Sequence, residues 1–235
     1  MSWPISTLVE MEGDPVDVSL KDKLAFLKAG VPWPSEPLPE CIETHASYVF
    51  LTRDRAWKLK KPVRLLHINQ LTLSMRARLC REEVRLNREL AGSVYRGVVP
   101  LVKRPGGGLA LGGEGHVVDW LVEMVRLPAA LMLDRRLKDG PVPQYSEIVS
   151  LSDLLVSFYR KQQRTADAGP RFYQRLLCDS RTNAAHMREM QQHLGSPLRA
   201  EVLDFALPAL ESCRGEIIAR ACQGLLSEGH GDLRP

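Results

Sequence analysis

The chain has 235 residues, with 32 Lys and Arg against 28 Asp and Glu, so its formal net charge is +4. The signs are interleaved and aromatic residues make up only 6% of the sequence, whereas nucleic-acid-binding domains usually carry a basic stripe. No nucleic-acid partner is therefore expected. The five cysteines form no C-x-x-C pair, which excludes the usual zinc and disulfide patterns and suits the cytoplasm. Neither a signal peptide nor an apolar run of about 18 residues is apparent, so no membrane partner is expected.

The first predicted element is a short helix over residues 19–30. Ser19 stands at its N-cap and Asp22 at the capping-box position, and Gly30 supplies the stop. A connector with Pro at 32, 34, 37 and 39 follows. Because Pro lacks an amide donor and fixes its φ angle, neither a helix nor a central strand is expected there.

The front of the chain then becomes rich in strand patterns. Strands are predicted at 48–52, 55–61, 97–105 and 116–128. A helix is predicted over 73–91, where apolar residues recur on one face among many charges. The Gly-rich segment 105–115 is interpreted as a flexible hairpin loop.

The back of the chain carries only helical patterns. Helices are predicted at 130–138, 145–166, 171–194 and 198–226, separated by Gly- and Pro-containing breaks. Strands followed by helices indicate an α+β protein in two parts and argue against a doubly wound sheet.

The last six residues, HGDLRP, contain the sharpest chemical motif. A carboxylate near a substrate hydroxyl can accept or orient its proton during phosphoryl transfer, and Asp232 is the candidate for that role. His230 is the candidate structural residue of the same loop. The same pair could equally be a terminal turn, a chance pair or half of a metal site.

A second motif is Ala56-Trp57-Lys58 in the predicted strand 55–61. Kinase folds place Ala and Lys two residues apart on a strand, so that both face the nucleotide. The alternative is an exposed edge strand whose lysines protect its edge.

A lysine in that role needs a carboxylate partner, and the predicted helix 73–91 offers Glu82, Glu83 and Glu89. Glu82 and Glu83 cannot both point inwards, because successive helical residues are about 100° apart. The alternative is a solvated helix face with Arg–Glu pairs at four-residue spacing.

Two long blocks, ETHASYVFLTRDRAWKLKKPV and CREEVRLNRELAGSVYRGVVPL, resemble an uncharacterised bacterial family of aminoglycoside phosphotransferase-like enzymes. The resemblance continues through MVRLP at 124–128 and LDRRL at 133–137, and HGDL returns at 230–233. It implies a protein-kinase-like two-lobed fold with an antiparallel-sheet N-lobe. Its register favours Glu83 as the partner of Lys58.

The resemblance also implies further binding roles. The turn between the first two strands would lie over the phosphates, with Thr44, His45 and Ser47 as candidates. Main-chain atoms of a hinge would bind adenine, with Glu123, Met124 and Val125 as candidates. In any strand, Met and Val are also ordinary core residues.

Together these observations predict a nucleotide-binding N-lobe with hinge over 1–127 and an incomplete helical C-lobe over 128–235. The expected function is ATP-dependent phosphoryl transfer to a small-molecule hydroxyl, with ATP and Mg²⁺ as cofactors. The sequence stops shortly after Asp232, before the metal-binding segment that the resemblance implies. The chain as it stands is therefore expected to be inactive, with apolar C-lobe surface left open to association. The alternative is a catalytically silent nucleotide-binding or scaffold protein.

Overall fold

The computed structural model describes residues 18–65, 68–162, 169–191, 200–227 and 229. It divides into two compact units, the first running to Tyr145 and the second starting at Ser146. The first unit contains α1 (Leu20–Lys28), β1 (Glu40–Glu43), β2 (Ser47–Leu51), β3 (Arg55–Lys60), β4 (Arg64–Leu65), β5 (Ile68–Asn69), α2 (Leu73–Ala91), β6 (Tyr95–Lys103), β7 (Leu109–Leu111), β8 (His116–Val125) and α3 (Leu133–Asp139). Short 3₁₀ helices lie at Gly92–Val94 and Ala129–Leu131.

The main sheet of the first unit has six strands in the order β1-β2-β3-β8-β6-β7, and each neighbouring pair is antiparallel. With its helices, this sheet confirms the α+β prediction. The strand β3 lies between β2 and β8. The interpretation of this strand as an exposed edge is therefore wrong. A separate two-stranded ribbon of β4 and β5 was not predicted.

The capping prediction for α1 is confirmed. The Ser19 hydroxyl accepts a hydrogen bond from the Asp22 amide at 3.1 Å and donates one to the Asp22 carboxylate at 2.6 Å. The helix ends at Lys28, and Gly30 follows with a φ of 69°. That positive φ explains why a Gly stands at the stop.

Replacing Ser19 with Ala is expected to lower the free energy of unfolding by about 1 kcal/mol, because the first turn of α1 loses its side-chain acceptor. Urea unfolding followed by circular dichroism measures this change. Ser35→Ala, in the connector after α1, is the control. Equal stability of the Ser19 variant and the wild type would contradict the capping role.

The two faces of the sheet are covered by different helices. One face packs against α1 and the connector after it, in a core of Leu27, Trp33, Phe50, Leu59, Leu101, Val118 and Leu121. The opposite face packs against α2, where Cys80 and Val84 meet Val122. Because successive strand residues alternate in direction, Leu121 and Val122 serve opposite faces. The second face is the one on which the candidate site is built.

A buried ion network ties both helices to the sheet. Asp119 of β8 is 1% exposed and accepts hydrogen bonds from Lys23 of α1 at 2.9 Å and from Arg76 of α2 at 2.8 and 3.0 Å. Arg76 also donates to the main-chain oxygens of Gln70 and Leu71 at 3.0 and 2.9 Å. One carboxylate therefore fixes three elements around the start of α2.

The Gly-rich segment is more ordered than the sequence predicts. Its Leu109–Leu111 stretch forms β7, which pairs with β6 from Leu101 to Lys103. The flanking glycines at 107, 108, 112 and 113 all have positive φ angles, between 74° and 88°. The glycines thus make the turns on either side of a short strand, and the interpretation of the whole segment as a loop is wrong.

The described residues of the second unit are mainly helical. Its helices are α4 (Tyr145–Lys161, whose first residue belongs to the first unit), α5 (Gly169–Gln191), α6 (Ala200–Ser212) and α7 (Arg214–Cys222). The single helix predicted at 198–226 is wrong, because the chain breaks at Cys213 between α6 and α7. Among the described residues of both units, no helix is long and apolar enough to cross a membrane.

Candidate functional site

The candidate site is built on an ion pair between β3 and α2. Lys58 lies opposite Val122 in the sheet, on the face that α2 covers. Its ammonium nitrogen is 2.8 Å from Oε1 of Glu83. The predicted contact between these two side chains is confirmed.

A second lysine shares the same carboxylate, and sequence reasoning did not identify it. Lys60 lies two residues after Lys58, and its Nζ is 2.6 Å from Oε2 of Glu83. The Lys58 side chain is 30% exposed, against 10% for Lys60 and 12% for Glu83. Two ammonium groups therefore face one carboxylate, and the outer one is open to solvent. The period of two along a strand is the signal that could have identified Lys60.

The electrostatics of this cluster keep Glu83 ionised. Burial alone would raise the pKa of Glu83, but the charges and hydrogen bonds of Lys58 and Lys60 hold the pKa below its ordinary value of 4.5. Burial raises the pKa of the adjacent Cys80 thiol to about 11, so this thiol stays protonated. Burial and the Glu83 charge also raise the pKa of Tyr95.

This lowered pKa predicts a pH dependence of stability. The contribution of Glu83 is fully present above its unfolded pKa of 4.5 and is lost as the pH falls through its lower folded pKa. Glu83→Gln is expected to lower the free energy of unfolding by about 2–3 kcal/mol at pH 7, less than for a fully buried pair because Lys58 is partly solvated. The difference from wild type is expected to shrink below pH 4.5.

Urea unfolding at pH 7 and at a series of acid pH values tests this expectation. Glu82→Gln is the matched control, because Glu82 stands next to Glu83 on the same helix and is about half exposed. A difference between Glu83→Gln and wild type that is the same at every pH would contradict the assignment.

The structure also distinguishes Glu83 from its two neighbours on α2. Glu82 pairs with Arg85 at 3.0 Å on the exposed side of the helix, and Glu89 lies 3.7 Å from the same arginine. Only Glu83, of the three carboxylates on α2, lies against β3. The prediction that Glu83, and not Glu82, contacts Lys58 is thus confirmed.

The predicted phosphate turn lies where expected, between β1 and β2. The Thr44 hydroxyl donates to the Ser47 oxygen and accepts from the Ser47 amide, both at 3.0 Å, which closes the turn. His45 is exposed, whereas Ser47 is 2% exposed and lies opposite Lys60 in the sheet. The turn therefore adjoins the end of β3 that carries the lysines. Of its three candidate side chains, Thr44 is engaged within the turn and Ser47 is buried.

The predicted hinge residues are the last three of β8. Glu123 and Met124 each pair with β3 on one side and β6 on the other. Val125 pairs with Arg55 of β3, and the described pairing with β6 ends at Met124. Of the three, Val125 is thus the residue whose main chain pairs with a described strand on one side only.

The remaining candidates divide between the sheet and the end of the chain. Ala56 is 8% exposed and lies opposite Met124, on the same face as Lys58. His230 and Asp232 lie outside the described residues. Their role in catalysis stays a prediction.

A further ion pair flanks the phosphate turn. Lys61 is 2.5 Å from the Glu43 carboxylate and lies over the Tyr48 ring at 4.7 Å. The hydrogen bond from Lys61 is the main cause that lowers the pKa of Glu43. Lys61 thus has its own carboxylate and does not contribute to the Glu83 cluster.

No family model matches this chain, and no solved structure matches it. It is similar to the uncharacterized proteins Rv2004c and MT2060 of Mycobacterium tuberculosis (strains H37Rv and CDC 1551) and Mb2027c of Mycobacterium bovis. Each is 27% identical over 206 residues, which cover 86% of this chain and 39% of the relative. The chain thus spans about two fifths of the length of these relatives.

Proposed function

We propose that this chain carries the nucleotide-binding part of an ATP-dependent phosphotransferase with a protein-kinase-like two-lobed fold. The observation that carries the proposal is the 2.8 Å ion pair between Lys58 on the third strand and Glu83 on the helix that follows. Protein kinases use a Lys of their third strand, paired with a Glu of the next long helix, to hold the nucleotide phosphates. The resemblance to aminoglycoside phosphotransferase-like enzymes implies that a hydroxyl group of a small molecule would accept the phosphoryl group.

Phosphoryl transfer depends mainly on positioning and on stabilisation of charge. Lys58 fits this task because it is partly solvent-exposed and belongs to a cluster with a net positive charge. Its carboxylate partner, Glu83, is nearly buried and therefore holds the ammonium group of Lys58 in a defined position. Ala56 and the end of β8 would accept the adenine, and Asp232 would orient the acceptor hydroxyl.

Bound Mg²⁺ would neutralise negative charge on the phosphates in such a reaction. Within the described ranges, no group of three or more His, Cys, Asp or Glu side chains could hold a metal ion. The proposed roles of Lys58 and Glu83 do not depend on such a group. The five free thiols and the need for ATP suit the cytoplasm as the place of action.

Isothermal titration with ATP, in the presence and absence of Mg²⁺, tests the proposal. Saturable binding of ATP is expected, without transfer of the γ-phosphoryl group from radiolabelled ATP to a panel of small hydroxyl compounds, because the sequence predicts an inactive chain. Absence of binding at millimolar ATP would show the proposal to be wrong. Transfer to any acceptor would exclude the catalytically silent alternative and would contradict the expected inactivity of this chain.

A further inference from the structure

Two lysines contact Glu83, and their different positions give them different roles in the cluster. Lys58 and Lys60 contact different oxygens of the same carboxylate, Oε1 at 2.8 Å and Oε2 at 2.6 Å. Each oxygen therefore has its own cation. If Lys58 moves away, the carboxylate keeps a charged partner.

The exposures of the two lysines indicate which one moves. Lys60 is 10% exposed at the side chain and sits at the end of β3, opposite the buried Ser47. Lys58 is 30% exposed. A buried ammonium group that left its carboxylate would lose its compensating charge, whereas a partly hydrated one loses less. Lys60 is thus the fixed partner, and Lys58 is the partner free to exchange.

We infer that Lys60 is a positioning residue, which holds Glu83 charged and in place so that Lys58 is available to a phosphate oxygen. The inference rests on the proposed function for the identity of the ligand. A site with only Lys58 and Glu83 would be neutral, and an incoming phosphate would compete with the carboxylate for the one ammonium group. With Lys60 present, the cluster of two cations and one anion has a net positive charge before the ligand arrives, which favours an anion.

The first test measures the availability of Lys58 without any nucleotide. Trace acetylation with acetic anhydride, read by mass spectrometry, reports how accessible the Lys58 amine is to the reagent. In Lys60→Met, Glu83 has only Lys58 to pair with, so the Lys58 labelling rate is expected to fall severalfold. Lys60→Arg keeps the charge and is expected to label as the wild type does. Lys61→Met is the matched control, because Lys61 pairs with Glu43 instead.

The second test is a double-mutant cycle on ATP affinity. Lys60→Met is expected to weaken ATP binding about tenfold in the wild-type background, a free-energy change of about 1.4 kcal/mol, and to have a clearly smaller effect in Glu83→Gln, where no carboxylate is left for Lys60 to hold. Circular dichroism of each variant checks that it is folded, and Lys60→Gln replaces Lys60→Met if the latter does not fold. An equal effect in both backgrounds would mean that Lys60 contacts the ligand itself, which overturns the inference.

The two tests separate the inference from the proposed function. A wild-type protein that binds no ATP would overturn the proposed function, and the labelling rates would then decide the role of Lys60 alone. A Lys58 labelling rate that is unchanged or faster in Lys60→Met would overturn the inference, whatever the affinity for ATP.

Discussion

Replacing Asp119 with Ala is expected to lower the free energy of unfolding by about 3–5 kcal/mol, because it removes the carboxylate that pairs with two buried cations. Asp119 is 1% exposed, and its partners Lys23 and Arg76 are each 5% exposed. Both cations would stay buried without a compensating charge. Urea or thermal unfolding at pH 7 measures the loss, and the exposed Glu114→Ala is the surface control, with an expected change within about 0.5 kcal/mol.

A combined variant identifies the physical cause. Replacing Asp119 with Leu together with Lys23→Met and Arg76→Met removes all three charges at once. Buried ion networks replaced entirely by apolar residues often lose little stability. The triple variant is therefore expected to be more stable than Asp119→Ala alone. If both variants were equally unstable, the loss would come from packing and hydrogen-bond geometry, not from uncompensated charge.

The local patterns of the chain predicted the elements that position the site. The helix predicted at 73–91 is α2, Leu73–Ala91, because its apolar residues follow one helical face and Gly92 ends it. The strand around Lys58 was predicted from alternation, and the resemblance then selected Glu83. These signals are local in sequence, so they do not require the three-dimensional fold.

Non-local features escaped prediction for a common reason. Asp119 stands in a strand of mostly apolar residues, and its partners Arg76 and Lys23 lie 43 and 96 residues away in sequence. The strand β7 forms because its Leu-Ala-Leu stretch pairs with β6. In the sequence alone, the glycines on either side make the same stretch resemble a loop. Such pairings depend on the sheet order, which no local pattern specifies.

In the second unit, a local signal predicts a helix break where none occurs, and no local signal marks the break that does occur. Pro208 lies inside α6, where a break would be expected, while the helix ends near Cys213, which carries no breaking signal. A Pro removes one helical hydrogen bond, yet α6 continues through Pro208 and lies, like α7, against α5. The ends of these helices therefore do not follow the local Pro signal.

Replacing Lys58 with Met is expected to weaken ATP binding about tenfold to a hundredfold while leaving adenosine binding unchanged. A hydrogen bond to a charged group contributes about 1.5–3 kcal/mol, and every 1.4 kcal/mol corresponds to a factor of about ten in affinity. Only the affinity for ATP is expected to fall, because adenosine has no phosphates for the lysine to contact. The fold should change little, since Lys58 is 30% exposed and Lys60 still holds Glu83. Isothermal titration with both ligands measures the effect, with Lys61→Met as the control on the same strand end. An equal loss of ATP and adenosine affinity would indicate a general defect of the fold, and an unchanged ATP affinity would remove Lys58 from the phosphate site.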